Sequence, residues 1–491
     1  MLWEPVIGLE VHAQLATATK IFCPCPAGAA QTPNSQLCPV CLGLPGALPV
    51  LNARAVELAV RAAVALGCRI LPESVFARKS YFYPDLPKGY QISQFDCPVG
   101  VEGVMSWEIG GERREVRIAR VHLEEDAGKS LHEGFPGAAH RTGIDFNRSG
   151  VPLVEIVTRP DLRSPREAAA FFERLREILV EVGASLGNME EGHLRCDANL
   201  SLRAAGTDAL GTPVEVKNLN SFRFLQRALE HERDRQAAVL DEGGRVAHET
   251  RLWDVGAGRT VAMRSKEDAH DYRYFPEPDL PPVVMPPGRV QAIRQALPEL
   301  PEARRQRLVA AFGLSAYDAA LVGTSRAAAA YFERVAAQGV EPKAAANWMT
   351  GELARLLKET AIPIEQSPVP PEALAALVAE VEAGRVSVSV GKAVLGRMWT
   401  TGRDAREIID VEGLERVDDR AALEAIVGDL VARNPKAVAQ YRGGKTLVLG
   451  FFVGQVMKAT GGNANPALAN ELVARALASQ IAKSPDQKID K

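Results

Sequence analysis

Short runs of alternating and β-branched residues predict several β-strands in the first part of the chain. These runs cover residues 6–15, 116–123, 153–157, 194–202 and 214–216. Two helices are also predicted. The first has Ser164 as N-cap, Pro165 in its first turn, Glu167 three residues after the cap and Gly183 as its stop, and the second covers residues 222–241.

The composition changes after residue 275. Residues 275–288 contain closely spaced prolines, which can continue neither a helix nor a central strand. From about residue 289, Ala, Leu, Glu and Arg recur at helical spacing, interrupted by a proline-containing linker at 360–371, and the last residues, 483–491, are expected to be frayed. The pattern predicts an α+β multidomain protein, in which a β-sheet-rich N-terminal domain with an antiparallel or mixed sheet precedes all-α domains.

Composition and charge narrow the class of protein. At 491 residues the chain exceeds one hydrophobic core, and its 46% hydrophobic and 24% charged residues are ordinary for a globular protein. The net charge of −3 gives no global attraction for nucleic acid, so such binding needs a local patch. The N-terminal residues do not resemble a signal peptide, and no apolar run approaches the roughly 20 residues that span a bilayer. With seven cysteines, four of them clustered, we expect a cytoplasmic protein.

The clustered cysteines have the spacing of a metal site. Cys23 and Cys25 form one close pair, and Cys38 and Cys41 form a second pair after an excursion of twelve residues. Two such pairs suit a tetrahedral thiolate site for zinc. Free thiols or disulfides are the alternative, although disulfides seldom persist in a reducing cytoplasm. We therefore predict a structural zinc knuckle at residues 23–41.

Ionisable residues alternate along the predicted strands. Glu10 and His12 share one face of the first strand, for which a simple polar face is the alternative to catalysis. His122, Glu124 and Asp126 share a face further on, where acidic groups repel one another unless Mg²⁺ or a lysine lies nearby. An acidic solvated turn is the alternative for this second group.

Two more strands carry polar residues at the same alternating spacing. Arg195, Asp197 and Asn199 alternate on one of them, and Glu215 and Lys217 on the next. Oxygen ligands for Mg²⁺ beside cations for phosphates suggest a site that handles ATP. Residues 79–94 are predicted to form a non-helical loop whose aromatics and lysines suit a nucleotide end, with an aromatic corner packed on the core as the alternative.

Several familiar motifs are absent. A phosphate loop ending at Lys445–Thr446 would need glycine where the chain has Ala439, and no G-x-G-x-x-G occurs. No glutaminase nucleophile is evident, because the cysteines outside the cluster are expected to be core residues. Residues 433–458 contain five basic residues and no acidic one, which suits RNA phosphate or, alternatively, a basic helical bundle without a partner.

Together these stretches resemble the B subunits of the glutamyl/aspartyl-tRNA amidotransferases, the GatB family. The matching motifs follow the family order over nearly the whole chain: VIGLEVHAQL, CPVCLGLPGALPVLN, KSYFYPDLPKGYQISQ, HLEEDAGKS, DFNRSGVPLVEIVT, NMEEGHLRCDANLS, VEVKNLNSF, DYRYFPEPDLPP and GFFVGQVMKATGGNANP. The chain differs from the family pattern in its Cys-Pro-Cys start and in a longer, Ala-rich loop before Cys38.

The resemblance implies a cradle domain at 1–292, a helical domain at 293–405 and a tRNA-binding tail domain at 406–491. It implies a heterotrimer whose other members are an amidase-type glutaminase, which releases ammonia from glutamine, and a small subunit that bridges the two larger ones. The cradle would use ATP and Mg²⁺ to phosphorylate the side-chain carboxylate of Glu-tRNA(Gln), Asp-tRNA(Asn) or both. Ammonia from the glutaminase partner would then displace the phosphate.

The resemblance also implies roles for individual residues. The expected catalytic residues are Glu10, His12, Glu124, Glu125 and Glu155, of which Glu10, His12 and Glu125 are expected to hold Mg²⁺. The expected nucleotide or phosphate neighbours are Lys79, Lys88, Asp197, Asn199, Lys217 and Asn218. The expected tRNA contacts are Tyr81, Tyr83, Arg442, Lys445 and Lys458, and the expected zinc ligands are Cys23, Cys25, Cys38 and Cys41. A non-catalytic zinc-knuckle scaffold that binds tRNA is the alternative hypothesis.

Overall fold

The structure is a computed structural model that describes residues 2–30, 32–265, 272–415, 420–460 and 464–482. The segment 483–491, predicted to be frayed, lies outside the described residues. The chain divides into two compact units, Met1–Glu302 and Ala303–Lys491. No described helix has both the length and the apolar composition needed to cross a membrane.

The first unit contains the described β-strands. They are β1 (Trp3–Gln14), β2 (Arg69–Ile70), β3 (Glu73–Ser74), β4 (Phe76–Ser80), β5 (Tyr90–Gln94), β6 (Gly100–Ile109), β7 (Glu112–Glu125), β8 (Lys129–Leu131), β9 (Gly143–Asp145), β10 (Pro152–Thr158), β11 (Leu194–Ala204), β12 (Val214–Lys217), β13 (Glu249–Asp254), β14 (Arg259–Ser265), β15 (Phe275–Pro276) and β16 (Val283–Val284).

Nine of the described strands form one mixed sheet in the order β14-β13-β12-β11-β1-β10-β7-β6-β2. Strands β12 and β13 are parallel, and the other neighbouring pairs are antiparallel. The smaller groups are β15-β4-β5, β16-β3 and β8-β9. Each predicted strand is found, extended by a few residues, and the central position of β1 places its Glu10 and His12 in the middle of the sheet.

Helices α1 (Ala53–Ala65), α2 (Pro165–Glu181), α3 (Phe222–Asp241) and α4 (Pro287–Gln295) complete the first unit. Ser164 caps α2 by accepting a hydrogen bond from the Glu167 N–H, and Ser221 caps α3 in the same way. The main hydrophobic core joins the apolar face of the sheet, such as Leu9 and Val11 of β1, to these helices. The opposite face of the central strands is left to the polar residues that the alternation predicted.

The prediction of a non-helical loop over residues 79–94 was wrong at both ends. Residues 79–80 belong to β4 and residues 90–94 form β5, because two glutamines act as substitutes for backbone groups. The Gln91 side chain donates to the Glu125 carbonyl at 2.7 Å, and the Gln94 side chain accepts from the Leu123 N–H at 3.0 Å. These bonds attach β5 to the end of β7.

The second unit is helical in its described residues. Its helices are α5 (Pro301–Phe312, which begins in the first unit), α6 (Ala316–Val322), α7 (Arg326–Ala336), α8 (Pro342–Trp348), a π-helical segment (Met349–Leu353), α9 (Ala354–Thr360), a 3₁₀ turn (Ile364–Gln366), α10 (Pro371–Glu382), α11 (Val388–Thr401), α12 (Ala405–Glu412), α13 (Arg420–Arg433), α14 (Pro435–Arg442), α15 (Val448–Ala459) and α16 (Pro466–Ala482).

These helices bury two hydrophobic clusters, one between Leu308 and Ile409 and one between Leu423 and Leu477. The predicted α+β class, with a sheet-rich N-terminal part and a helical C-terminal part, is confirmed.

Candidate active site

The sheet register places ionisable residues of four strands in one row. Arg195 lies opposite His12, His12 opposite Glu155, and Glu155 opposite His122. Directly paired residues point to the same face, so these side chains converge although they come from separate parts of the sequence. Glu124 lies two residues beyond His122 on the same face of β7.

Two imidazoles and three carboxylates form the centre of this row, here called the His–Glu cluster (Glu10, His12, His122, Glu124 and Glu155). His12 Nε2 lies 3.3 Å from Glu155 Oε2, 3.5 Å from Glu124 Oε1 and 3.9 Å from Glu10 Oε1. His122 Nε2 lies 3.2 Å from Glu155 Oε2 and 3.8 Å from Glu124 Oε2. Only Glu10, whose side chain is 33% exposed, and His12, at 19%, are open to solvent.

These contacts shift the pKa values in the cluster. Burial alone would lower the pKa of both imidazoles, but the carboxylates outweigh it and raise the pKa of His12 and of His122 to about 9. Burial opposes ionisation of Glu155, yet His122 and His12 hold the pKa of Glu155 well below its usual range. Burial, together with the charge of Glu155, raises the pKa of Glu10 to about 7. The two imidazolium groups thus balance carboxylate charge that a metal cation could also balance.

A lysine from a different sheet faces this cluster. Lys79 of β4 has its ammonium group 4.9 Å from the ring centre of Tyr272 and 5.9 Å from that of Tyr81. Burial would lower the pKa of Lys79, but Glu124 and Glu155 raise it above its usual value. Aromatic rings thus hold a charged lysine near the carboxylates without neutralising it.

Asp197, Lys217 and Asn199 lie on the same sheet face, beside Glu10. Asp197 is paired with Glu10 in the register, and Asn199 lies opposite Gly8. Lys217 Nζ contacts Asp197 Oδ2 at 2.6 Å and Glu215 at 2.9 Å. Asn218, also expected near phosphate, instead has a left-handed backbone with φ of 68° and donates its side chain to the Trp253 carbonyl.

Glu125 and Lys88 do not join the His–Glu cluster. Glu125 follows Glu124 directly, so its side chain leaves the strand on the opposite face. It is 2% exposed and is paired with the Lys88 ammonium group, and it also accepts from the Ile92 N–H at 2.9 Å. Its assignment as a Mg²⁺ ligand therefore stays a prediction, without support from this geometry.

Asp126 organises a second buried ion-pair network next to the cluster. Its carboxylate lies 2.9 Å from Arg195 and 3.5 Å from Arg148, and it accepts from the Gln14 side chain at 3.2 Å. Arg148 also donates to the carbonyls of Ala127 and Gly128. The motif DFNRSG thus provides structural support rather than direct contact with the cluster.

The four predicted knuckle cysteines come together. Their sulfur atoms all lie within 4.8 Å of one another, and Sγ of Cys38 and Cys41 are 3.9 Å apart. Tetrahedral zinc with Zn–S bonds of about 2.3 Å requires sulfur atoms about 3.8 Å apart, so the set fits a metal ion. A hydrogen bond from Cys23 is the main cause that lowers the pKa of Cys41 to about 4. Free thiols are therefore arranged as a potential metal site, not as disulfides.

Asn147 fixes the knuckle loop to the sheet. Its side-chain oxygen accepts from the Gln36 N–H at 2.8 Å, and its amide donates to the Thr32 carbonyl at 2.8 Å. The buried Lys20 donates to the Gln36 carbonyl at 3.0 Å. Ser149 donates to the Cys41 carbonyl at 3.2 Å. The loop that precedes β10 therefore links the cysteines to a cluster strand.

The remaining predicted residues lie on surfaces. Tyr81 is half-buried beside Lys79, and Tyr83 is exposed in the turn between β4 and β5. Arg442, Lys445 and Lys458 are exposed on and between α14 and α15 of the second unit.

His122 and Arg120 were not assigned to the site from sequence. Arg120 Nη2 lies 3.8 Å from Glu155 Oε1. Both residues have the strand parity of Glu124, which is the sequence feature that could have identified them.

Comparison with known proteins gives consistent matches over the chain. The family model described as the GatB/GatE catalytic domain matches residues 5–291, and the one described as the GatB domain matches residues 330–477. The aspartyl/glutamyl-tRNA(Asn/Gln) amidotransferase B subunit of Geobacter sulfurreducens is 50% identical over 477 residues, which cover 97% of this chain and 100% of that protein. The proteins of the same name from Moorella thermoacetica and Myxococcus xanthus are 52% and 51% identical over 96% and 97% of this chain, and over 99% and 98% of their own lengths. The chain therefore belongs to the GatB family.

Proposed function

We propose that this chain is the member of a tRNA-dependent amidotransferase that activates a carboxylate with ATP and then amidates it. The substrate is the side chain of Glu-tRNA(Gln), Asp-tRNA(Asn) or both. The His–Glu cluster, buried on the polar face of the central sheet in a chain of this family, is the observation that supports the proposal most strongly. The relatives named above are amidotransferases for these aminoacyl-tRNAs by their printed names.

The chemistry explains why charged groups are needed. A carboxylate reacts poorly with ammonia because its leaving group would be oxide. In the proposed reaction its oxygen attacks the γ-phosphorus of ATP and ADP leaves. Ammonia then attacks the acyl carbon, phosphate leaves, and the amide nitrogen loses a proton. Lys79 and Lys217 are the cations of this face that would meet phosphate oxygens, with Asp197 and Asn199 as supporting residues.

The oxygen-rich His–Glu cluster suits a hard divalent cation such as Mg²⁺. Bound there, the cation would neutralise charge on the transferred phosphate. The cysteine set suits zinc, with Cys23, Cys25, Cys38 and Cys41 as a structural knuckle that secures the loop held by Asn147.

The tRNA body is assigned to the second unit. There, a groove of about 1060 Å³ is lined by Arg433, Lys436 and Lys445, together with Leu447 and Phe451. Leu447 is 92% exposed, so the groove offers both cations and apolar surface to a nucleic acid. Arg442 and Lys458 lie on the same helices, and Tyr81 and Tyr83 are proposed to meet the acceptor end at the first unit.

The proposed assembly is a cytoplasmic heterotrimer of this chain, an amidase-type glutaminase and the small bridging subunit. The boundaries 1–292, 293–405 and 406–491 are proposed for the cradle, helical and tail domains. The absence of a suitable nucleophilic cysteine among the predicted core cysteines agrees with ammonia supplied by a partner: Cys68 and Cys196 lie within the main hydrophobic core.

Activity of the assembled complex tests this proposal. We expect Glu-tRNA(Gln) or Asp-tRNA(Asn) to stimulate ATP cleavage, and Glu155→Gln to lower the stimulated rate by about 100-fold or more because it removes a buried carboxylate of the cluster. Glu102→Gln, at a side chain 68% exposed on β6, should have no effect. The scaffold hypothesis predicts that Glu155→Gln leaves function intact. Absence of stimulation with both tRNAs in the unmodified complex would refute the enzymatic proposal.

A further inference from the structure

The His–Glu cluster contains two potential metal-ligand sets. One consists of Glu10, His12 and Glu155, and the other of His122, Glu124 and Glu155. Within each set, one ligand atom per residue lies within 4.8 Å of the others. Glu155 belongs to both sets, so the two potential sites are neighbours that share a carboxylate.

Glu124 also connects the two sides of the cluster. Its Oε1 lies 3.5 Å from His12 Nε2, whereas its Oε2 lies 3.8 Å from His122 Nε2. The two oxygens of one carboxylate therefore face different imidazoles. Glu155 Oε2 lies between the same imidazoles, at 3.3 and 3.2 Å. Carboxylates placed between two sets of terminal ligands are what a pair of cations about 3.5–4 Å apart requires.

The environment of His122 points to a ligand inside the cluster. This ring is 4% exposed, and its Nδ1 is buried without a hydrogen-bond partner in the structure. The polar contacts of its Nε2 in the described residues are with Glu124 and Glu155. A buried polar side chain that faces only carboxylates is costly unless a cation or proton joins them.

Charge balance favours two cations over one if the site also receives ATP, a condition that rests on the proposed function. The carboxylates of Glu10, Glu124 and Glu155 carry three negative charges when the imidazoles are neutral. One divalent cation would leave a negative site for the polyphosphate to enter. Two would make the site positive, and like-charge repulsion would become attraction at short range and low dielectric constant.

We propose that the cluster binds two divalent cations side by side. Glu10 and His12 are terminal ligands of the first cation, His122 is the terminal protein ligand of the second, and Glu124 and Glu155 bridge them. The chemical class of the ligand is a pair of hard or borderline divalent ions, such as Mg²⁺ or Mn²⁺. The single-cation alternative leaves His122 as an imidazolium that only balances charge.

Manganese binding to the full-length chain tests the proposal without tRNA, nucleotide or partner proteins. The knuckle is first loaded with zinc, which is diamagnetic, and bound Mn²⁺ is counted by electron paramagnetic resonance. We expect two bound Mn²⁺ per chain with the spin-coupled spectrum of a close pair. One bound ion, or two ions without coupling, overturns the proposal.

Variants assign each ion to its ligands. His122→Asn should retain one uncoupled Mn²⁺, whereas His140→Asn, at an exposed loop position, should retain the coupled pair. Glu10→Gln affects a partly exposed side chain, so it keeps the test decisive if His122→Asn does not fold. It should weaken only the first ion and abolish coupling; a coupled pair that survives either substitution contradicts the ligand assignment. Two coupled ions without tRNA-stimulated ATP cleavage would refute the proposed function alone, and one ion with cleavage would refute this inference alone.

Discussion

Removing the Lys88 ammonium group should destabilise the first unit strongly. Glu125 is 2% exposed and the Lys88 side chain 9%, so the pair is buried. In Lys88→Met the carboxylate would keep only the Ile92 N–H, at 2.9 Å, as a hydrogen-bond donor among the contacts described above. Breaking a buried ion pair from one side costs about 3–5 kcal/mol, because an uncompensated charge remains. We expect the free energy of unfolding to fall by about that amount.

The double variant Lys88→Met/Glu125→Gln separates charge from packing. The amide oxygen at position 125 can still accept from Ile92, and no buried charge remains. Replacing a whole buried pair by neutral groups is often close to neutral, so most of the loss should be recovered. Recovery would show that the cost of the single variant is electrostatic.

Tryptophan fluorescence during urea unfolding provides the measurement. Replacing Trp348 and Trp399 by Phe in every variant leaves Trp3, Trp107 and Trp253, which all belong to the first unit. The signal then reports on that unit, and the transitions need not be shared with the second. A cost below about 1 kcal/mol for Lys88→Met, or a double variant as unstable as the single one, would refute the reasoning.

Three further predictions concern the knuckle and the cluster. Gly43→Ala should destabilise the first unit by about 1–3 kcal/mol, because φ is +65° and the new methyl group would overlap the Lys88 side chain, whereas Gly46→Ala, with φ of +84° and open space, should incur only the backbone strain; urea unfolding compares them. Asn147→Ala should cost about 2 kcal/mol and speed zinc release to a chromogenic chelator, since it removes two bonds to the knuckle loop; unchanged release would contradict this role. In buffer without divalent cations the unit should lose stability, on the order of a few kcal/mol, as the pH rises from 6.5 through 9. The pKa of His12 and His122 is raised to about 9 from an ordinary 6.5, so their contribution is complete below pH 6.5 and lost above 9; a flat profile would contradict it.

Strand parity was the most useful sequence feature for the site. It placed Glu10 and His12 on one face, and it also separated Glu124 from Glu125. Parity gives the face of a strand but not its neighbours, so the meeting of these residues with Glu155 depends on the register of β1 between β10 and β11. That register comes from long-range pairing, which no local pattern records.

Residues that act across the sheets were harder to predict. Lys79 reaches the cluster from β4, a strand outside the main sheet, and its aromatic neighbour Tyr272 comes from a distant segment. Asn147 and Arg148 were grouped with the ATP site because of their polarity. Their partners are backbone carbonyls, the Gln36 N–H and Asp126, all of which only the folded chain reveals.

The two faces of β1 show why the cluster is better explained by function than by stability. Leu9 and Val11 on one face are at most 1% exposed within the hydrophobic core, as expected for a central strand. On the other face Glu10 and His12 belong to a cluster whose deepest members, Glu155 and His122, are only 4% exposed. Apolar residues at such positions usually match or exceed the stability of buried ion pairs. The chain therefore accepts an energetic cost on one face only, where carboxylates from three strands meet, and a bound cation or phosphate would offset that cost.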